Sequence, residues 1–71
     1  MTDAVTPREF REELNRLYAA AVAKGLDSDD LAAAAKTDRH TIAKWIGGYA
    51  HPATSDAREL VLVAVGRLGL E

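Results

Sequence analysis

Cysteine is absent from this chain of 71 residues, which excludes a disulfide framework and a thiolate zinc site and leaves the core to side-chain packing alone. No apolar run approaches the roughly 20 residues of a membrane span, and the opening MTDAVTPREF lacks the basic and apolar regions of an export signal, so a soluble cytoplasmic chain is expected. Groups for chemistry are equally sparse. The two histidines, His40 and His51, have no carboxylate at metal-ligand spacing, and neither a glycine-rich phosphate loop nor a positioned nucleophile is present. No enzyme, cofactor or metal is therefore expected. A basic excess is missing too. Nine Lys and Arg stand against eleven Asp and Glu, a formal net charge of −2, which counts against a nucleic-acid partner. Internal repeats and low-complexity linkers are also lacking, and the length allows one small domain.

What is present is a stretch from Asp27 to Gly48, DSDDLAAAAKTDRHTIAKWIGG, that reads as two short helices joined by a tight turn. Ser28 to Ala35 is rich in alanine, the best helix former, and carries Leu31 one turn before Ala35. Asp27 is its expected N-cap, with Asp30 where the acid of a capping box sits. Lys36-Thr37-Asp38 then interrupts the run, and Asp38 can cap a second helix, Arg39 to Ile46, that stops at Gly47-Gly48.

At about 100° per residue this second helix has two distinct sides. Ile42, Trp45 and Ile46 point inward, whereas His40, Ala43, Lys44 and Gly47 lie opposite, flanked by Arg39 and Thr41. Donors near the N-terminal end and small residues at Ala43 and Gly47 suit a helix that is approached closely by another surface. A DNA major groove is such a surface, since it admits one helix and displays base-edge acceptors.

The rest of the chain reads as support. Met1 to Val5 are expected to fray. Thr6 as N-cap, Pro7 at the first helical position and Glu9 as capping-box acid start a helix that runs to about Lys24 and ends at Gly25. Phe10, Leu14, Leu17, Tyr18 and Ala21 form its buried stripe, with Leu26 packing back onto it. Arg8, Arg11, Asn15 and Arg16 fall mainly outside that stripe. They are either phosphate contacts or an ordinary solvated face paired with Glu12 and Glu13, and the second reading is favoured. After the motif, Gly48 to Pro52 is a loop that Pro52 prevents from continuing the helix. Thr54 to Leu68 opens with Thr54 or Ser55 as N-cap and acids in its first turn. Its centre, Leu60 to Val65, is apolar on every side. The valines favour a strand and the capped start a helix, which is preferred. Such a segment exposes more apolar surface than one core covers. Either the first helix wraps it or it forms a homodimer interface through Leu60, Leu62, Val63 and Leu70.

Leu31-Ala32, Ala35, Ile42, Trp45 and the exit Gly48 followed by Pro52 resemble the helix-turn-helix of the phage repressor and Cro superfamily. The resemblance covers about a third of the chain. It implies an all-α fold, a compact four- to five-helix bundle containing a helix-turn-helix of the lambda repressor type, in a bacterial or phage-encoded DNA-binding protein. It further implies base reading by Arg39, His40, Thr41 and Lys44. Backbone contact is implied around Ser28, Lys36, Ala43, Gly47, Tyr49 and His51, although Tyr49 could equally pack on the edge of the core. Two positions depart from the family pattern. Ser28 stands where a phosphate-binding Gln is common, and Lys36 stands where a turn Gly takes positive φ. A side chain there costs on the order of 1 kcal/mol, so a slightly rearranged turn is expected. Residues Lys36 to His51 hold Lys36, Arg39 and Lys44 against Asp38 alone, with Asp27, Asp29, Asp30, Asp56, Glu59 and Glu71 elsewhere. The segment thus reads as locally positive. A transcriptional regulator is the leading expectation. An architectural or recombination-directing DNA factor and a protein-interaction module of the antirepressor or antitoxin type are the alternatives.

Overall fold

In the computed structural model, which describes residues 5–70 and of residues 69 and 70 only the backbone, the chain forms four helices: α1 (Pro7–Ala23), α2 (Ser28–Ala34), α3 (Arg39–Gly47) and α4 (Ser55–Leu70). The described residues contain no strand, and no helix among them is long and apolar enough to cross a membrane. The start signals act as their chemistry predicts. Thr6 and Glu9 complete a reciprocal capping box on α1, with Pro7 at its first position. Asp27 and Asp30 do the same on α2 despite Asp replacing the usual Glu. The hydroxyl of Thr54 accepts from the Ala57 N–H at 3.1 Å and so caps α4.

Three of the helices end alike. In each, the N–H of the residue that follows the turn residue returns to a carbonyl five residues back: Leu26 to Ala21, Thr37 to Ala32, and Tyr49 to Lys44. This pairing needs a left-handed residue at the turn. Gly25 (φ 88°) and Gly48 (φ 83°) supply it without strain, but Lys36 supplies it with φ 60°. The expected rearrangement around Lys36 therefore does not occur. The turn keeps the geometry normally given to glycine, because the two returning hydrogen bonds, Lys36 N–H to Ala33 and Thr37 N–H to Ala32, outweigh about 1 kcal/mol of side-chain strain.

Each helix gives the core at least one fully buried side chain: Phe10 and Leu14 from α1, Leu31 from α2, Ile42 from α3 and Val65 from α4. Burying a side chain of this size contributes about 1.5–3 kcal/mol. Trp45 of α3 meets Phe10 edge to face, with ring centroids 5.8 Å apart and planes at 80°, the geometry that an aromatic quadrupole favours. Tyr18, Leu26, Ala35 and Ile46 pack around this centre, half-buried.

The valine-rich segment is helical. Val61 and Val65, one turn apart, are buried with α1, which gives the segment a helical partner. On its other side Leu60 is 69% and Val63 48% exposed. Leu62, expected in an outward interface, is instead half-buried against the core, and the side chain of Leu70 lies outside the described residues.

Val5 is not loose, contrary to the expected fraying through that residue. It packs on the core, and its carbonyl accepts from Arg58 Nε at 2.6 Å. Arg58 is the one buried charged side chain of the described residues, 8% exposed. Its Nη1 donates to the Pro52 carbonyl at 2.8 Å. No carboxylate among the described residues pairs with it, and its two shortest hydrogen bonds go to backbone carbonyls. One side chain thereby ties the chain's start and the α3–α4 loop to α4. Replacing Arg58 by Met preserves much of the volume but leaves the Val5 and Pro52 carbonyls without their donors. A loss of about 2–4 kcal/mol is expected, read from urea unfolding. A midpoint and slope equal to wild type would show that water replaces the guanidinium at no cost.

Candidate nucleic-acid interface

The geometry of α3 is set from both ends. At its start the Asp38 carboxylate accepts from the Thr41 N–H at 2.7 Å. At its end Asn15 of α1 donates to the Ile46 carbonyl at 2.9 Å while also donating to the Arg11 carbonyl of its own helix at 2.8 Å. Between these ties Ile42 is fully buried and Trp45 and Ile46 are half-buried. Packing therefore fixes the rotation of α3 about its axis.

The outward face then follows. Arg39, His40, Ala43, Lys44 and Gly47 are exposed together, as the wheel requires. Thr41 is half-buried on the flank, with its amide engaged by Asp38. Lys36 is exposed in the turn before α3, and Ser28, the first residue of α2, is half-buried. Tyr49 is 88% exposed, which removes the option of packing at the edge of the core. Its ring lies over Gly47, where an added Cβ would come within 2.8 Å of it. The missing side chain at Gly47 thus serves the Tyr49 ring as well as any approaching surface. His51 is exposed, with Nδ1 3.0 Å from the Pro52 carbonyl and 3.5 Å from Arg58 Nη1.

The local charge differs from the sequence expectation. Asp29, which lies ten residues before Arg39, reaches it in space: Arg39 Nε is 3.6 Å from Asp29 Oδ1, both side chains being largely exposed. Packing α2 on α3 brings the acidic start of one helix to the start of the other. The segment Lys36 to His51 is consequently less positive than its own composition suggests.

The arginines of α1 divide. Arg8 pairs with Glu12 at 3.2 Å and Arg16 pairs closely with Glu13, the ordinary solvated arrangement. The hydrogen bond from Arg16 holds the Glu13 carboxyl below its usual range and raises the guanidinium's own. Arg11 has no such partner among the described residues; its guanidinium lies across Gly48 instead. Arg11, Asn15 and Asp29 are thus part of the surroundings of α3 without any linear signal to reveal it, since Asn15 and Ile46 are 31 residues apart. Among the described residues no three His, Cys, Asp or Glu side chains gather as a metal site would need.

No family model, curated protein or solved structure matches the chain.

The Thr41 N–H, followed by its hydroxyl, holds the Asp38 carboxyl below the usual carboxylate range. A lowered folded-state value means that this cap contributes fully above about pH 4 and is lost as the pH falls through the lower folded value. Asp38→Asn, which caps equally well without titrating, is expected to flatten that part of the acid limb of stability. Identical acid limbs in wild type and variant, measured by urea unfolding from pH 5 to pH 2, would remove Asp38 from the account.

Proposed function

We propose that this chain is a sequence-specific double-stranded DNA-binding protein, a small Cro-like transcriptional regulator whose helix-turn-helix is formed by α2 and α3. One observation carries the reading: α3 is anchored by Ile42, Trp45 and Ile46 and presents Arg39, His40, Ala43, Lys44 and Gly47 outward on a single face. A B-DNA major groove is about 12 Å wide and accepts one helix. The exposed guanidinium of Arg39 suits the paired acceptors of guanine, and His40, Thr41 and Lys44 suit neighbouring edges or phosphates. Ser28, Lys36, Tyr49 and His51 surround this face and suit backbone contact, while Ala43 and Gly47 keep it flat enough for close approach.

A homodimer goes with this reading. Leu60 and Val63 are exposed on α4, beside an apolar recess of about 400 Å³ lined by Ala34, Ala35, Lys36, Ala57, Leu60, Val61 and Ala64. Two copies joined there would present two α3 helices to successive half-sites one helical turn apart.

Selection of bound duplexes from random DNA tests both points. Symmetric half-sites are expected, and failure to retain any duplex would end the DNA reading. On the selected site, Arg39→Ala should relax preference at one base pair by about 1–3 kcal/mol, whereas Lys36→Ala should weaken all sequences alike. The two are separated by measuring affinity for the site and for single-base variants of it.

Asp29 supports a second reading. With Asp27 and Asp30 it makes the start of α2 acidic, and it occupies Arg39, an arrangement that also suits a basic protein partner for a module retaining the helix-turn-helix shape. The two readings part on one variant. If DNA is the partner, Asp29→Asn frees Arg39 and removes a phosphate-repelling charge. Affinity for the duplex at low salt should then rise by about two- to fivefold, the range of an exposed ion pair. A fall in affinity, measured by fluorescence anisotropy, would instead make Asp29 a positive determinant of recognition.

A further inference from the structure

On the exposed side of α1, Arg8 and Arg16 pair with glutamates of their own helix, and Arg11 between them has no carboxylate partner among the described residues. Its position is nonetheless restricted. A Cβ built on Gly48 would lie 2.7 Å from Arg11 Nε, 2.9 Å from Cδ and 3.1 Å from Cζ, so the side chain is laid flat across the left-handed glycine that ends α3. One turn further along α1, Asn15 fastens the Ile46 carbonyl, and the registration of Arg11 against the end of α3 is thereby held by a hydrogen bond as well as by packing. The guanidinium borders a recess of about 220 Å³ lined by Pro7, Arg8, Arg11, Gly48, Ala50 and His51. Among the described residues no carboxylate lines it. Glu12, next to Arg11 in the chain, is engaged by Arg8 and lines the adjoining recess together with Arg8, Arg11 and Asn15.

The recess therefore sets the Arg11 guanidinium beside the His51 ring and the Arg8 side chain, which Glu12 engages, around a backbone that has no side chain at Gly48. That composition fits a phosphate, since a planar guanidinium offers it two parallel donors. Its placement fits a particular phosphate source. From Arg39 to Gly48 a helix rises about 13 Å, close to the roughly 12 Å width of the major groove. When the start of α3 is at base edges, its end emerges where the sugar-phosphate wall stands.

We infer that Arg11, with Arg8 and His51 beside it, holds one backbone phosphate of the duplex read by α3 and so sets how far along the groove that helix is seated. The inference rests on the DNA-binding reading and adds to it a contact from α1, outside the two helices that carry the motif.

The test uses the full chain with Arg11→Met, which keeps the stem over Gly48 and removes the charge, and Arg11→Lys, which keeps the charge. Binding to the duplex selected by the wild type, and to an unrelated duplex, is followed over a range of KCl concentrations, with thermal melts to establish that each variant is folded. Arg11→Met should weaken both duplexes by the same factor and lower the slope of log affinity against log salt by about 0.9, the release of one phosphate contact. Arg11→Lys should retain the wild-type slope. Wild-type binding with an unchanged slope and affinity in Arg11→Met overturns the Arg11 contact and leaves the DNA reading standing; a wild-type protein that binds neither duplex overturns both. Should Arg11→Met fail to fold, ethylation interference on the wild type and on Arg11→Gln, which keeps a polar stem and removes the charge, decides. Alkylation of a phosphate beside the end of α3 must weaken the wild type more than Arg11→Gln, and equal effects overturn the contact.

Discussion

The structure depends on the burial of one stripe of α1. Phe10, Leu14, Leu17 and Ala21 recur at helical spacing, and this wall meets Val61 and Val65 of α4 and the Ile42 and Trp45 side of α3, with Leu31 of α2 closing the same centre. In a chain of this size no second core exists to absorb an error. The rotation of each helix about its own axis is accordingly decided by which of its residues must reach that centre. The outward face of α3 is thus a consequence of the inward one: with Ile42 fully buried and Trp45 set edge-on against Phe10, His40, Ala43, Lys44 and Gly47 can only face solvent.

Polar ties complete what packing begins, and they act at the ends of elements. Asp38 fixes the first turn of α3, Asn15 its last turn, and Arg58 the loop that follows together with the start of the chain. Each of these side chains satisfies backbone groups that a helix end or loop would otherwise leave to water. The result is a surface helix tied at both ends and bordered by loops held in register with it.

Electrostatics on this surface are a matter of apposition more than of totals. A net charge of −2 says little about a face on which Arg39 is answered by Asp29, Arg8 by Glu12 and Arg16 by Glu13 while Arg11 is answered by nothing among the described residues. Short-range pairing decides which cations remain available to a partner, because exposed charges more than a Debye length apart scarcely sense one another.

Local chemistry was written in the sequence wherever the interacting residues are three to five positions apart. The caps at Thr6, Asp27, Asp38 and Thr54, the glycine stops at Gly25 and Gly48, the buried stripe of α1 and the two sides of α3 all follow from helical periodicity and from the orphan amides and carbonyls at helix ends. Tertiary structure alone decided the rest. It made the valine-rich segment a helix by giving it α1 as a partner, and drew Leu62 toward the core while leaving Leu60 and Val63 outside. It also brought Asp29 to Arg39, Asn15 to Ile46, Arg11 to Gly48 and Arg58 to Val5. The physical reason is that periodicity specifies only which side of an element turns inward, whereas a contact between residues 10 to 53 positions apart depends on how the helices pack once that side is buried.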